Sequence, residues 1–107
     1  MAHTPEELET LLEDGLIIRD PEALVALFDE HAVLVAGNKP ALHGPGDIVR
    51  SGLEIWNDER GYVADPQCIV QAHDIALLVS ERSLNVARRS ANGTWRFAIV
   101  LVRDDLY

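Results

Sequence analysis

His43 is the side chain that type and position mark out first for chemistry. It stands between a short apolar run and the Gly44-Pro45 break that opens a helix, and an imidazole there can take or give a proton near neutral pH. Its other role would be that of a hydrogen-bonded residue at a strand end. Asp65, close to Tyr62, is a second candidate, a carboxylate and phenol pair for proton transfer, although Asp before Pro66 also starts turns. The four histidines His3, His31, His43 and His73 show no close ligand spacing, so neither a metal nor any other cofactor is expected. His3 reads as part of a frayed end, His31 as a cation at a helix end and His73 as a turn residue. Cys68 is the only cysteine, which excludes an internal disulfide and argues against a cysteine-rich zinc site. It reads as a small buried hydrophobe.

These residues need elements to hold them. Thr4-Pro5-Glu6-Glu7 is a capping box with proline at the first helical position, so a helix runs from about Pro5 to Ile18, with Leu8, Leu11, Leu12 and Leu16 as its stripe. Asp20-Pro21 starts a second helix, whose apolar face is Ala23, Leu24, Leu27 and Phe28. Ala32 to Ala36 reads as a strand. Gly37-Asn38-Lys39-Pro40 is turn chemistry, and Ala41-Leu42-His43 is a short return strand. Ile48, Val49, Gly52, Leu53 and Trp56 then share one face of a third helix. Beyond a polar connection, Tyr62 to Ala72 is extended and suited to an edge because of Asp65-Pro66. Ile75 to Arg89 is long and β-favouring, Asn92-Gly93 signals a hairpin, and Trp95 to Arg103 completes it.

Length and composition bound the rest. A chain of 107 residues is one domain over 1–107, able to bury roughly 60 to 70% of its unfolded surface in one core. The net charge of −9 argues against a nucleic-acid partner, because that backbone recruits cations. Residues 1–30 hold nine acids against Arg19 alone, whereas the remainder is nearly balanced. The acidity therefore belongs to the first two helices, as a solvated face or an acidic docking surface. No apolar run approaches the ~18 residues of a membrane span, and no basic region precedes an apolar one at the start. A cytoplasmic protein with no membrane partner is expected.

A two-residue turn at Asn92-Gly93 would set Leu84 opposite Leu101 and Val86 opposite Ile99. One face then carries Leu78, Leu84, Val86, Phe97, Ile99 and Leu101, and its larger side chains place it under the helices. The other, with Asn85, Ala87, Ala98, Val100 and Val102, is too apolar for water and suits a sheet-to-sheet homodimer. A one-residue bulge would exchange these assignments. Arg82 and Arg103 fall opposite one another on the helix side, which requires either neighbouring carboxylates or an anionic ligand group between them.

The order of elements resembles the cone-shaped α+β fold of the nuclear-transport-factor-2-like superfamily, in which three N-terminal helices pack on a curved, mainly antiparallel sheet. Within it the chain is most similar to SnoaL-like proteins and ketosteroid-isomerase homologues. The resemblance rests on Asp20-Pro21-Glu22-Ala23-Leu24-Val25-Ala26-Leu27-Phe28, His31-Ala32-Val33-Leu34-Val35, Leu42-His43-Gly44, His73-Asp74-Ile75-Ala76-Leu77-Leu78-Val79 and Asn92-Gly93-Thr94-Trp95-Arg96. It implies a pocket whose mouth lies near His43, and frequent dimerisation. It also implies that the isomerases' basic aspartate and oxyanion-hole tyrosine are replaced here by Ala36 and Leu12, neither of which can move a proton or stabilise an enolate. Two functions follow from the resemblance. The first is a small-molecule-binding dimer whose mainly apolar cup draws on Leu12, Leu34, Ala36, Trp56, Tyr62, Phe97 and Ile99, with Arg82 for a weakly anionic ligand. The second is a cyclase, isomerase or hydrolase that uses His43, Asp65 or Arg82. A cup filled by its own side chains is a third possibility.

Overall fold

A computed structural model describes residues 2–55, 68–81 and 83–102. The first helix, α1, spans Pro5–Ile18. Its start is the capping box read from sequence, with the Thr4 hydroxyl accepting from the Glu7 amide at 3.0 Å. Arg19 ends it in the left-handed region at φ 55°, where its own amide donates to the Gly15 carbonyl. Asp20 then caps α2, Pro21–Val25, by accepting from the Ala23 amide at 3.3 Å. The corner between the two helices is tight because Gly15 lacks a side chain. A Cβ there would lie 2.7 Å from Cδ2 of the buried Leu24.

The second helix is shorter than its apolar spacing suggests. Phe28 is not on a helical stripe but opens strand β1, Phe28–Ala36, pairing in parallel with Phe97 of β6, Trp95–Val102. Leu27 accepts from the Phe97 amide at 2.8 Å, and the two rings stand 5.5 Å apart. Burying this aromatic pair inside the sheet prevails over another turn of a five-residue helix. The ladder breaks between Phe28 and Val33, where Asp29 accepts from the His31 amide at 2.9 Å. His31 is accordingly an exposed strand residue, not a helix-end cation.

After the Gly37–Pro40 turn, β2 (Leu42–His43) pairs antiparallel with β1, and α3 spans Pro45–Ile55. Ile48, Val49 and Gly52 of α3 are buried, as their spacing predicts. The stretch expected as one long strand from Ile75 is a hairpin: β4, Ile75–Val79, and β5, Ser83–Arg89. Ser80 makes the turn, its amide and hydroxyl both donating to the Ser83 carbonyl, the local bonding by which serine competes with a strand ladder. With β3, Cys68–Ala72, the six strands form an open sheet in the order β2-β1-β6-β5-β4-β3, antiparallel except for β1 with β6. This is an α+β fold, with α1 against β6 and α3 against β1 and β2. Ala2 pairs with Trp95, so the chain is held to β6 from its second residue rather than frayed.

The β5–β6 hairpin corrects the assignment of faces. Its loop is centred on Asn92, so Arg89 pairs with Trp95 and Ala87 with Phe97, one residue off the expected register. A bulge at Ala98 then restores that register, with Val86 opposite Ile99 and Leu84 opposite Leu101. The bulge places Trp95 and Phe97 on the same face as Val100 and Val102, and all four are buried. That combined face brings both aromatic rings together with the two valines, and it, with Ala76, Leu78, Asn85 and Ala87, lies under the helices. Asn85, Ala87, Val100 and Val102 are therefore excluded as a dimer surface. The outward face carries Val33, Val35, Leu77, Val79, Leu84, Val86, Ile99 and Leu101.

Candidate functional site

Most of the helix-facing side of the sheet is hydrocarbon, and the exceptions define the site. Leu12, Leu34 and Phe97 are buried in one apolar cluster, against which Ala36 packs half-buried. All four, marked as cup-lining in the sequence, are thus residues of the one core or packed on it. Ile99 lies elsewhere. The bulge turns it onto the outer face, 45% exposed. His43 is exposed on β2, opposite Val33. Trp56, Tyr62, Asp65, Arg82 and Arg103 lie outside the described residues. Cys68 is exposed at the start of β3, where the pleat faces it outward, and is not the buried hydrophobe expected.

The polar centre is a pair that the sequence reading passes over. Glu9 of α1 is 3% exposed and Asn85 of β5 is 1% exposed. The Asn85 amide nitrogen donates to Glu9 Oε1 at 3.0 Å. Both positions follow from element geometry. Pro5, Leu8, Glu9, Leu12 and Gly15 are the buried residues of α1, at helical spacing, so the carboxylate occupies an apolar-face position. Asn85 alternates with buried Ser83 and Ala87 and is flanked across the sheet by Leu78 and Val100. An acid on the buried stripe of a helix was the available signal, but it is legible only once the stripe is known to include Pro5 and Gly15.

Because a carboxylate oxygen accepts, the NH2 end of the Asn85 amide must face Glu9, and this fixes the direction of its carbonyl. That carbonyl oxygen, Oδ1, is buried and has no hydrogen-bond partner among the described residues. An orphaned buried acceptor costs about 1–3 kcal/mol. Nearby Ser83 is also buried, but its hydroxyl is engaged with that of Ser80 at 2.9 Å.

The helices also meet β1 at a purely apolar seam of about 170 Å³, lined by residues that include Leu16, Leu24, Ile48 and Gly52. It offers no polar group and is nowhere wide enough to hold a water molecule. Among the described residues no three histidine, cysteine or acidic side chains converge as metal ligands, and no helix is long and apolar enough to cross a membrane.

No family model and no curated protein matches the sequence. Solved structures do match. A ketosteroid isomerase-like protein from Erwinia carotovora atroseptica is 20% identical, with a TM-score of 0.72 over 92% of this chain and 91% of that one. A conserved protein from Planctomyces limnophilus reaches 0.74 at 14% identity, covering 91% and 90% of the two chains. A proposed dehydratase of the NTF2-like family from Streptomyces avermitilis reaches 0.67 at 19% identity, covering 91% and 90%. At such identities the likeness is one of fold. The chain has the nuclear-transport-factor-2-like fold.

Proposed function

We propose that this chain is a small-molecule-binding domain that lacks the proton-transfer groups of the ketosteroid isomerases. Its ligand lies between α1 and the helix-facing side of the sheet, against Leu12, Leu34, Ala36 and Phe97. The observation that carries this reading is the buried Glu9–Asn85 pair, polar groups set into an otherwise apolar face and left with an unused acceptor. A protein stabilised only by its core has little reason to retain such a group, whereas ligand pockets combine apolar walls with a few fixed polar atoms. Ala36 and Leu12 offer neither a base nor a hydroxyl where the isomerases need them, so no steroid isomerisation is expected. The active form is a homodimer joined through the outer sheet face, whose apolar side chains are otherwise left in water.

Native mass spectrometry of the purified protein, followed by thermal-shift screening of neutral apolar compounds, tests the binding reading. A retained small molecule, or a ligand that raises Tm, is expected, and His43→Gln should leave that affinity within about twofold because His43 is exposed on β2. A protein that neither retains nor binds any such compound would overturn the proposal and leave a core filled by its own side chains.

A further inference from the structure

The direction in which Asn85 is held narrows the ligand further. The Asn85 amide nitrogen donates to Glu9 Oε1 at 3.0 Å, and this bond holds the carbonyl end of the amide turned away from Glu9. What remains for a ligand is Oδ1, an acceptor that is buried and has no partner among the described residues. We infer that the site takes an apolar molecule bearing a hydroxyl or N–H group, which donates to Asn85 Oδ1. This rests on the binding reading above and adds the polarity of the ligand to it.

The polarity has consequences for selection. A ketone, ether or carboxylate offers only lone pairs, and burying it against Oδ1 would leave two acceptors facing each other without a hydrogen between them. An alcohol or amine of the same shape removes the orphan at no cost in fit. A site with a buried polar group rejects an analogue that leaves the group unpaired more strongly than a hydrophobic wall rejects a change of one methylene. The flanking Leu78 and Val100 supply that wall on either side of Asn85. The sense is opposite to an oxyanion hole, in which the protein donates and the ligand accepts.

Two matched pairs test this by isothermal titration of the full chain: phenol against anisole, and 2-naphthol against 2-methoxynaphthalene. The hydroxyl member of at least one pair should bind roughly tenfold more tightly than its methyl ether, about the worth of one buried hydrogen bond. In Asn85→Leu the preference should shrink to under about twofold, with the ether bound no more weakly than before. Equal binding of hydroxyl and ether by the wild-type protein would overturn the donor requirement and leave the binding reading intact. Binding of neither member of either pair would overturn both. An unchanged hydroxyl preference in Asn85→Leu would assign the acceptor elsewhere and also refute the inference. Should Asn85→Leu not fold, the wild-type comparison decides alone.

Discussion

At the scale of single residues, Gly15 shows how an absent side chain does structural work. The corner between α1 and α2 closes only because Leu24 occupies the space where a Cβ would be. Gly15→Ala gains helix propensity worth about 0.5–1 kcal/mol, but overpacking a buried contact costs typically ~1–3 kcal/mol. A net loss of about 1–2 kcal/mol is expected in urea denaturation, and the penalty should fall in a Leu24→Ala background, where the clashing methyl is gone. An additive double variant would show that the two residues do not limit each other. The Glu9–Asn85 pair is the converse case. There the side chains are present and buried, and the cost of the orphaned Oδ1 is tolerated. Neither feature was legible in the sequence, because both depend on which residue of another element stands opposite. The helix caps, by contrast, were readable to the residue: Thr4 bonds to Glu7 and Asp20 to Ala23, and such bonds span only three positions.

At the scale of elements, the hairpin of β5 and β6 decides the identity of the core face. The distant half of its register is readable from Asn92-Gly93, but two compensating one-residue shifts, in the loop and at Ala98, decide where Phe97 and Trp95 fall. Alternation has a period of two, so each shift reverses the meaning of every later position. Deleting Ala98 should therefore be far worse than its small size suggests. Without the bulge, either Trp95 and Phe97 or Val100 and Val102 must leave the core, and large-to-small losses of comparable side chains cost several kcal/mol each. The deletion variant is expected to lose its cooperative thermal transition by circular dichroism, whereas Ala98→Ser should retain it. A deletion variant that melted like wild type would mean that the bulge is dispensable. The same parity argument explains why Ile99, read as cup-lining, faces outward.

At the scale of the whole molecule, the outer sheet face is the surface left over. Ile75, Ile99 and Leu101 are each 40% exposed or more, and Leu77, Val79, Leu84 and Val86 lie half-buried among them. A net charge of −9 keeps such a molecule dispersed without removing the incentive to cover that face. Ile99→Arg should convert the proposed homodimer to monomers in sedimentation velocity, because it buries an unpaired charge only when two copies meet. A wild-type monomer at micromolar concentration would refute the dimer. The hydrophobic residues of this face alternate legibly along the strands, but sequence alone assigned Leu84, Val86, Ile99 and Leu101 to the inside, for want of the bulge.

The parallel pairing of β1 with β6 also governs when the molecule can be completed. Phe28–Ala36 has only the two-residue β2 beside it until Trp95–Val102 exists, because β6 is its other neighbour and the last strand in the order of the chain. Strand pairing across so much sequence is slow, since the loop must close before any contact rewards it. The β3–β6 meander is joined by local turns and can form first. During synthesis β1 therefore gains its second strand neighbour, and Phe28 its ring partner Phe97, only after the intervening meander has been made, so this contact is the late step of folding.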